Sequence, residues 1–544
     1  MIKIFEKYPL VLLSGVVLLM LLIHLEVPNI TIMEARNFIT AREMVQDNHW
    51  LLTTMNGEAR YQKPPLPTWL TAISGLIFGI SNVWALRLPA ALMVLFSGIF
   101  IYYLSLKLML TKIQSINNSL ILVTSFYIFA IIIEAPWDIF AHGFMLAGLY
   151  FLFLFFEEKL SLWKNALLAA FFIGLSVMSK GPVSLYAVFL PFLISYGIVF
   201  KFKDFKTKFL PLIGFVLLLL IIGGWWFAYV RLADPEAFLK IATKETENWS
   251  SYNIKPFYYY WNFFIQSGLW TIPAFISLLY PYLIKRVTHK KAYQFSFWWT
   301  IAAVILLSLI PEKKARYLVP VLIPMAVNTG FYIQYLCINF SELKRKTETI
   351  PVYFNFGLIT IISLSVPFAL FFLLKDGLQN HLFSYALTSV ATLFTGILLI
   401  RNLYLKRIQN VFYLTILFMV SLAAFGLPLT KSITKNEAYN SINALHQFEE
   451  KEHIISYSIG EMTPELLWEY NGIIKNIYKN KSLEIPADPN FGLLLMPKDV
   501  EIMNSQLGKN YNFKLIETYN LNFGSKSKER LIREFYLVSK KQYF

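Results

Sequence analysis

Apolar runs long enough to cross a membrane recur along this chain near 8–28, 83–106, 114–133, 138–156, 165–179, 182–200, 209–230, 258–284, 293–310, 316–339, 351–374, 381–400 and 409–428. A spanning helix needs about 20 predominantly apolar residues. Thirteen such runs leave a polytopic α-helical membrane protein as the expected fold class. Composition agrees: the 544 residues are 56% hydrophobic and 17% aromatic, and mean hydropathy is +0.53. Soluble domains are far more polar. The stretch 65–80 is also apolar, but it is short and opens with Pro64, Pro65 and Pro67.

Loop charge chooses between topologies. With the N-terminus inside and 65–80 lying in the interface, every second loop falls in the cytoplasm. Those loops hold Lys107 and Lys112; Lys159 and Lys164; Lys201, Lys203, Lys206 and Lys208; Lys285, Arg286, Lys290 and Lys291; Lys344, Arg345 and Lys346; and Arg401, Lys406 and Arg407. This is the positive-inside pattern. Counting 65–80 as a span would put all six clusters on the wrong side. The formal net charge of +16 is thus spread over short loops. A nucleic-acid partner is not expected, because its footprint is a continuous basic face. Cys337 stands alone, which leaves no disulfide framework and no cysteine metal site. Lys3 and Lys7 precede the first apolar run without a small-residue cleavage site, so that run reads as a helix rather than a removed signal peptide.

An odd number of spans puts the C-terminus outside. We expect a transmembrane domain over 1–431, with a first outer loop at 29–82, and a small periplasmic α/β domain over 432–544. The tail alternates strand-like runs (His453–Ser458, Phe491–Met496, Phe513–Thr518, Glu534–Val538) with helix-like ones (Ala438–Lys451, Pro464–Tyr470, Lys498–Leu507).

The outward loops carry polar residues beside apolar helices. Glu34, Arg36, Arg42, Arg60 and Lys63 lie in the first, Glu134 and Asp138 in the second, Lys180 at the third, and Glu312, Lys313, Lys314 and Arg316 ahead of the tenth span. Charge at a membrane boundary is costly and marks function. An acid can take a proton from an acceptor hydroxyl or amine. Cations can hold a phosphate and stabilise the charge it gains as it leaves. Together they point to group transfer from a lipid phosphate.

At these residues the chain resembles the bacterial C-type glycosyltransferases, relatives of the protein O-mannosyltransferases and of the aminoarabinose transferase of lipid A. The resemblance rests on Glu34-Ala-Arg-Asn-Phe, Ala41-Arg-Glu-Met, Trp50, Gly57, Arg60-Tyr-Gln-Lys-Pro-Pro-Leu-Pro, Trp69, Phe78-Gly and Ala85-Leu-Arg-Leu-Pro. It continues through Trp137-Asp-Ile-Phe-Ala-His, Lys180-Gly-Pro, Lys255-Pro-Phe and Lys313 to Pro324, and covers about residues 10–330. It implies the C-type glycosyltransferase fold, a polyprenyl-phosphate sugar donor, and inverting transfer on the outer face of the inner membrane. It carries Glu34 and Asp138 over as the catalytic acids, Lys63 to the donor phosphate and Tyr317 to its binding. Arg60, Lys313 and Arg316 join the phosphate site by position.

Two positions depart from the pattern. Met33 stands where the family usually has the first acid, so either Glu34 or Asp138 is the base, or the acceptor differs enough to need no strong base. Gln62 stands where the aminoarabinose transferase has an acid, so that enzyme's metal site does not carry over. No cofactor or metal is expected; the sequence does not indicate a divalent cation. The acceptor class stays open between lipid A, a protein hydroxyl and a polysaccharide. A lipid-linked sugar flippase is the alternative. Plainer readings stand beside the site assignments: Glu34 and Asp138 as helix-start acids, Lys180 as a helix-end charge, Lys63 as a snorkelling lysine, Tyr258 to Trp261 as an interfacial aromatic belt.

Overall fold

The computed structural model of the protein describes residues 6–433, 436–479, 482–524 and 527–541. Among them, nine helices are long and apolar enough to cross a membrane: Val83–Lys107, Pro136–Glu157, Leu162–Lys180, Phe205–Ala233, Lys290–Leu309, Ala315–Glu342, Lys346–Leu374, Leu378–Tyr404 and Ile408–Ile433. The pair Lys112–Val123 and Phe126–Glu134, bent by 46°, adds a tenth if it is one span. The protein is a multi-pass membrane protein.

Thirteen spans is therefore a higher count than the helices show. The run at 8–28 gives a helical stretch only over Pro9–Leu22, and the run at 182–200 one over Leu185–Val199. The run at 258–284 is not one helix. It breaks into Phe257–Tyr260, Phe263–Trp270, Thr271–Ser277 and Tyr280–Leu283. Hydropathy cannot see these breaks, but backbone chemistry explains them. Pro273 and Pro281 lack the N–H that a continuing helix needs, and Gly268 takes φ +64°, outside the helical region. The 65–80 segment forms the 13-residue helix Leu66–Phe78.

The chain divides into two compact units. The first comprises Met1–Pro28, Trp50–Leu52 and Arg60–Leu429; the second comprises Asn29–His49, Thr53–Ala59 and Thr430–Phe544. In the first, Pro136–Glu157 packs along Leu162–Lys180, which packs in turn along Phe205–Ala233. Small residues set the spacing: a Cβ on Gly148 would meet Ile173 at 2.4 Å, and one on Gly174 would meet Ile222 at 2.7 Å. Arg87, in the Ala-Leu-Arg-Leu-Pro segment, is buried and donates to the carbonyls of Leu25 and Pro28. It ties the end of the first helical stretch to the start of Val83–Lys107.

In the second unit a five-stranded sheet runs Lys475–Asn476, Ser456–Ser458, Asn490–Leu495, Ile532–Lys540, Tyr511–Asn520. The first three strands are parallel and the last two join antiparallel. The strand and helix runs read from the tail all appear: Pro464–Tyr470 has the expected bounds, Tyr511–Asn520 and Ile532–Lys540 extend beyond theirs, and the α-helix expected over 438–451 is shortened to Leu445–Glu452.

One part of the first outer loop groups with the C-terminal segment. The loop helix Ile32–Gln46 belongs to the second unit, because its apolar face is buried there. Phe38 meets Trp468 edge to face at 5.3 Å, and Ile39 joins Leu466 and Leu467 in one core. Arg42 donates to Asn471 Oδ1 and the Gly472 carbonyl, and burial lowers its pKa from the ordinary value, opposed by Glu43 and Asp47. Sequence distance hides a pairing between residues more than 420 positions apart.

Candidate active site

Two antiparallel helices create the centre of the first unit's polar cluster. Pro136 opens the helix Pro136–Glu157, with Asp138 in its first turn. Leu162–Lys180 ends on Lys180, and Gly181 closes it at φ +77°. A short connection returns the chain, so the start of one helix lies beside the end of the other. An acid at a helix start and a base at a helix end are each favoured by the macrodipole. Lys180 Nζ lies 2.8 Å from Asp138 Oδ2, with side chains 10% and 4% exposed.

Aromatic and cationic side chains surround this pair. The Lys180 ammonium lies 5.0 Å from the centre of the Tyr317 ring. Arg316 interacts electrostatically with both Asp138 and Lys180, and Lys63 with Lys180. The Arg60 guanidinium stands 5.2 Å over the ring of Trp137, the neighbour of Asp138. Tyr317 donates its hydroxyl to Glu312 Oε1 at 3.2 Å, and Lys314 Nζ meets the same oxygen at 2.5 Å. His142 lies one turn beyond Asp138, buried, with no hydrogen-bond partner at Nδ1 among the described residues.

The other sequence-derived candidates divide. Lys63 pairs with Glu245 at 3.7 Å, both partly exposed. Beside it, Tyr61 donates to Asp234 Oδ2 at 2.8 Å; burial and this bond raise the tyrosine's pKa. Lys313 points inward. It is buried, donates to the carbonyls of Lys255 and Ile310, and burial lowers its pKa. Lys314, half-buried, pairs instead with the Glu312 carboxylate. Glu34 lies in the second unit, buried, and closes a capping box: Thr31 N donates to its Oε2 at 3.1 Å, while Glu34 N donates to Thr31 Oγ1 at 3.3 Å.

The sequence leaves Lys180 open between an outward-face site residue and a helix-end charge; an acid opening one apolar helix and a lysine closing the next is the signal of this pair. Glu312 carried no such signal. Only the turn at Ala315–Leu318 folds Lys314 and Tyr317 back onto it.

Among the described residues one group has metal-ligand character: Glu43, Asp47 and His49 in the second unit, with ligand atoms within 4.8 Å of one another. The Glu43 carboxylate already accepts from Thr54 Oγ1, Asn56 N and Gly57 N. It serves the hairpin Thr54–Ala59, which is a sufficient account of its burial.

Comparison with known proteins adds to this geometry. The sequence profile of the dolichyl-phosphate-mannose-protein mannosyltransferase family matches residues 62–226. The crystal structure of ArnT from Cupriavidus metallidurans bound to undecaprenyl phosphate superposes with a TM-score of 0.68 over 97% of each chain, at 14% identity. The chain has the C-type glycosyltransferase fold. It also resembles the aminoarabinose transferases in sequence: the undecaprenyl phosphate-α-4-amino-4-deoxy-L-arabinose arabinosyl transferase of Wigglesworthia glossinidia brevipalpis is 23% identical over 94% of this chain and 88% of that one. An uncharacterized protein of Aquifex aeolicus is 24% identical over 60% of this chain, and the match spans 63% of its length, less than two thirds.

Proposed function

We propose that this C-type protein is an inverting glycosyltransferase of the bacterial inner membrane. It takes a sugar from a polyprenyl-phosphate donor and places it on an acceptor at the periplasmic face. The observation that carries the reading is the buried Asp138–Lys180 pair with Tyr317 against it and Arg316 in its field.

In this reading an acceptor hydroxyl or amine attacks the anomeric carbon. The bond from that carbon to the phosphate oxygen breaks with its electron pair, and polyprenyl phosphate leaves. Lys63, Arg60, Lys314, Arg316 and Tyr317 bind the phosphate and stabilise the charge it gains. Asp138 takes the acceptor's proton, with Lys180 holding its carboxylate in place. Glu34 is the second candidate base. Holding donor and acceptor in line supplies much of the rate gain.

The descriptions of the matching family and relatives support transfer over flipping: a transferase consumes its lipid-linked sugar, whereas a flippase moves it unchanged. Lipid A, protein hydroxyls and polysaccharides remain the acceptor classes. The test compares cells lacking the gene with cells carrying the native or Asp138→Asn protein, with mass spectrometry of lipid A, envelope polysaccharide and periplasmic glycoproteins. One glycan is expected to vanish on deletion and to stay absent with Asp138→Asn at normal protein levels. Purified protein that translocates polyprenyl-phosphate sugar without consuming it in the presence of the cell's envelope acceptors overturns the reading.

A further inference from the structure

An apolar cavity of about 510 Å³ lies away from this cluster, between the segment Thr271–Leu283 and the helices Val319–Asn339 and Lys346–Leu374. Its volume falls in the range of small-molecule sites. Phe275 and Leu279 line one side and Ile350 and Phe354 the other, all exposed. Tyr332 also lines it. That residue is 2% exposed, and no hydrogen bond to its hydroxyl occurs among the described residues. At the cavity wall this hydroxyl is positioned to meet a ligand oxygen.

One end of the cavity is polar. Glu348 lines it, and its Oε1 lies 2.9 Å from Arg286 Nη2 and 3.2 Å from the Tyr282 hydroxyl. Arg286 thus neutralises the carboxylate. Lys285 precedes Arg286 in the chain, and Lys344, Arg345 and Lys346 run directly into Thr347 and Glu348. These four cations are exposed and pair with no carboxylate among the described residues. Their density of cations is the positive-inside signature, which assigns both loops to the cytoplasmic surface in the topology expected from sequence.

We infer that this cavity binds one anionic phospholipid of the cytoplasmic leaflet. An acyl chain fills the groove between Leu279 and Phe354. The phosphate meets the Lys344–Lys346 run and Lys285, and a lipid oxygen accepts from Tyr332. Basic pockets between spanning helices recognise anionic head groups in this way. A neutral lipid would gain the apolar contact but not the charge.

The test uses the full chain purified in neutral detergent, with native mass spectrometry and thermal unfolding in added dioleoyl phosphatidylglycerol, dioleoyl phosphatidylcholine or inorganic phosphate. Phosphatidylglycerol is expected to persist as a single adduct and to raise Tm, with about tenfold or greater preference over phosphatidylcholine. Arg345→Gln with Lys346→Gln is expected to weaken it about 25-fold and to leave phosphatidylcholine unchanged. Leu279→Trp fills the groove and is expected to remove the adduct. If that variant fails to fold, Tyr332→Phe keeps the volume and is expected to weaken retention about fivefold. Equal retention of the two lipids, phosphatidylglycerol binding indifferent to the Arg345 and Lys346 changes, or the same Tm rise with inorganic phosphate overturns the inference.

Discussion

The ammonium of Lys180 sits 2.8 Å from Asp138 Oδ2, and both side chains are at least nine-tenths out of solvent. Removing one member of such a pair leaves an uncompensated buried charge, which costs about 3–5 kcal/mol. Lys180→Met and Asp138→Asn are each expected to lower Tm by thermal unfolding in detergent. The double variant is expected to recover much of the stability but not transfer from polyprenyl-phosphate sugar. Recovery of turnover in the double variant would show that the pair is structural.

Glu34 accepts from Thr31 N and so has a structural use independent of chemistry. Glutamine serves the same place in a capping box. Glu34→Gln is therefore expected to keep Tm, while Thr31→Ala lowers stability by about 1 kcal/mol. If Glu34 is the base, Glu34→Gln lowers kcat by about 10²–10⁴-fold at unchanged Tm. Unchanged kcat leaves Asp138 as the base.

Lys63 and Glu245 are 30% and 40% exposed at 3.7 Å. Such pairs contribute about 0–1 kcal/mol. Glu245→Gln is expected to leave Tm within error. Lys63→Ala is expected to do the same, yet to raise KM for the donor about tenfold or more through a lost charge-assisted phosphate contact. Equal KM values would remove Lys63 from the phosphate site.

Gly330 faces Asn118 across two packed helices, and a Cβ there would lie 1.7 Å from Asn118 Oδ1. Gly330→Ala overpacks the contact, at about 1–3 kcal/mol, and is expected to lower Tm. Adding Asn118→Ala should restore part of the loss. A wild-type Tm for Gly330→Ala would mean the helices separate freely here.

Glu469 in the second unit has a pKa raised above its ordinary 4.5 by burial, with the Ser441 hydroxyl opposing. A carboxyl with a raised folded pKa favours folding while protonated, below its unfolded pKa. That contribution is lost as pH rises through the folded value. Glu469→Gln is thus expected to raise Tm relative to wild type at pH 7–8, with the gain shrinking as pH falls toward 4. A gain independent of pH would rule out this linkage.

Residues differ in how openly the sequence displays their roles. Asp138, Arg316 and Tyr317 are visible because each opens an apolar helix, where a polar side chain is conspicuous. Lys313 and Lys314 look alike in sequence, yet one is spent on two backbone carbonyls and the other faces Glu312. That difference depends on which way the turn at Ala315 points. The run 258–284 reads as a span because hydropathy sums composition, whereas φ at Gly268 and the N–H missing from Pro273 and Pro281 decide whether a helix continues. Likewise, the motif around Arg42 marks the first outer loop without showing that the partners of Arg42 are Asn471 and Gly472.

By itself the sequence determined that this chain is a multi-pass helical membrane protein with an α/β tail, and that acids and cations collect at helix ends. Apolar run length, alternation and charge bias are local quantities, additive along the chain. Only the tertiary structure decided that Asp138 meets Lys180, that Glu34 rides with the C-terminal segment, and which cations turn inward. Those outcomes follow from side-chain direction and from burial against residues tens to hundreds of positions away, which no local sum contains.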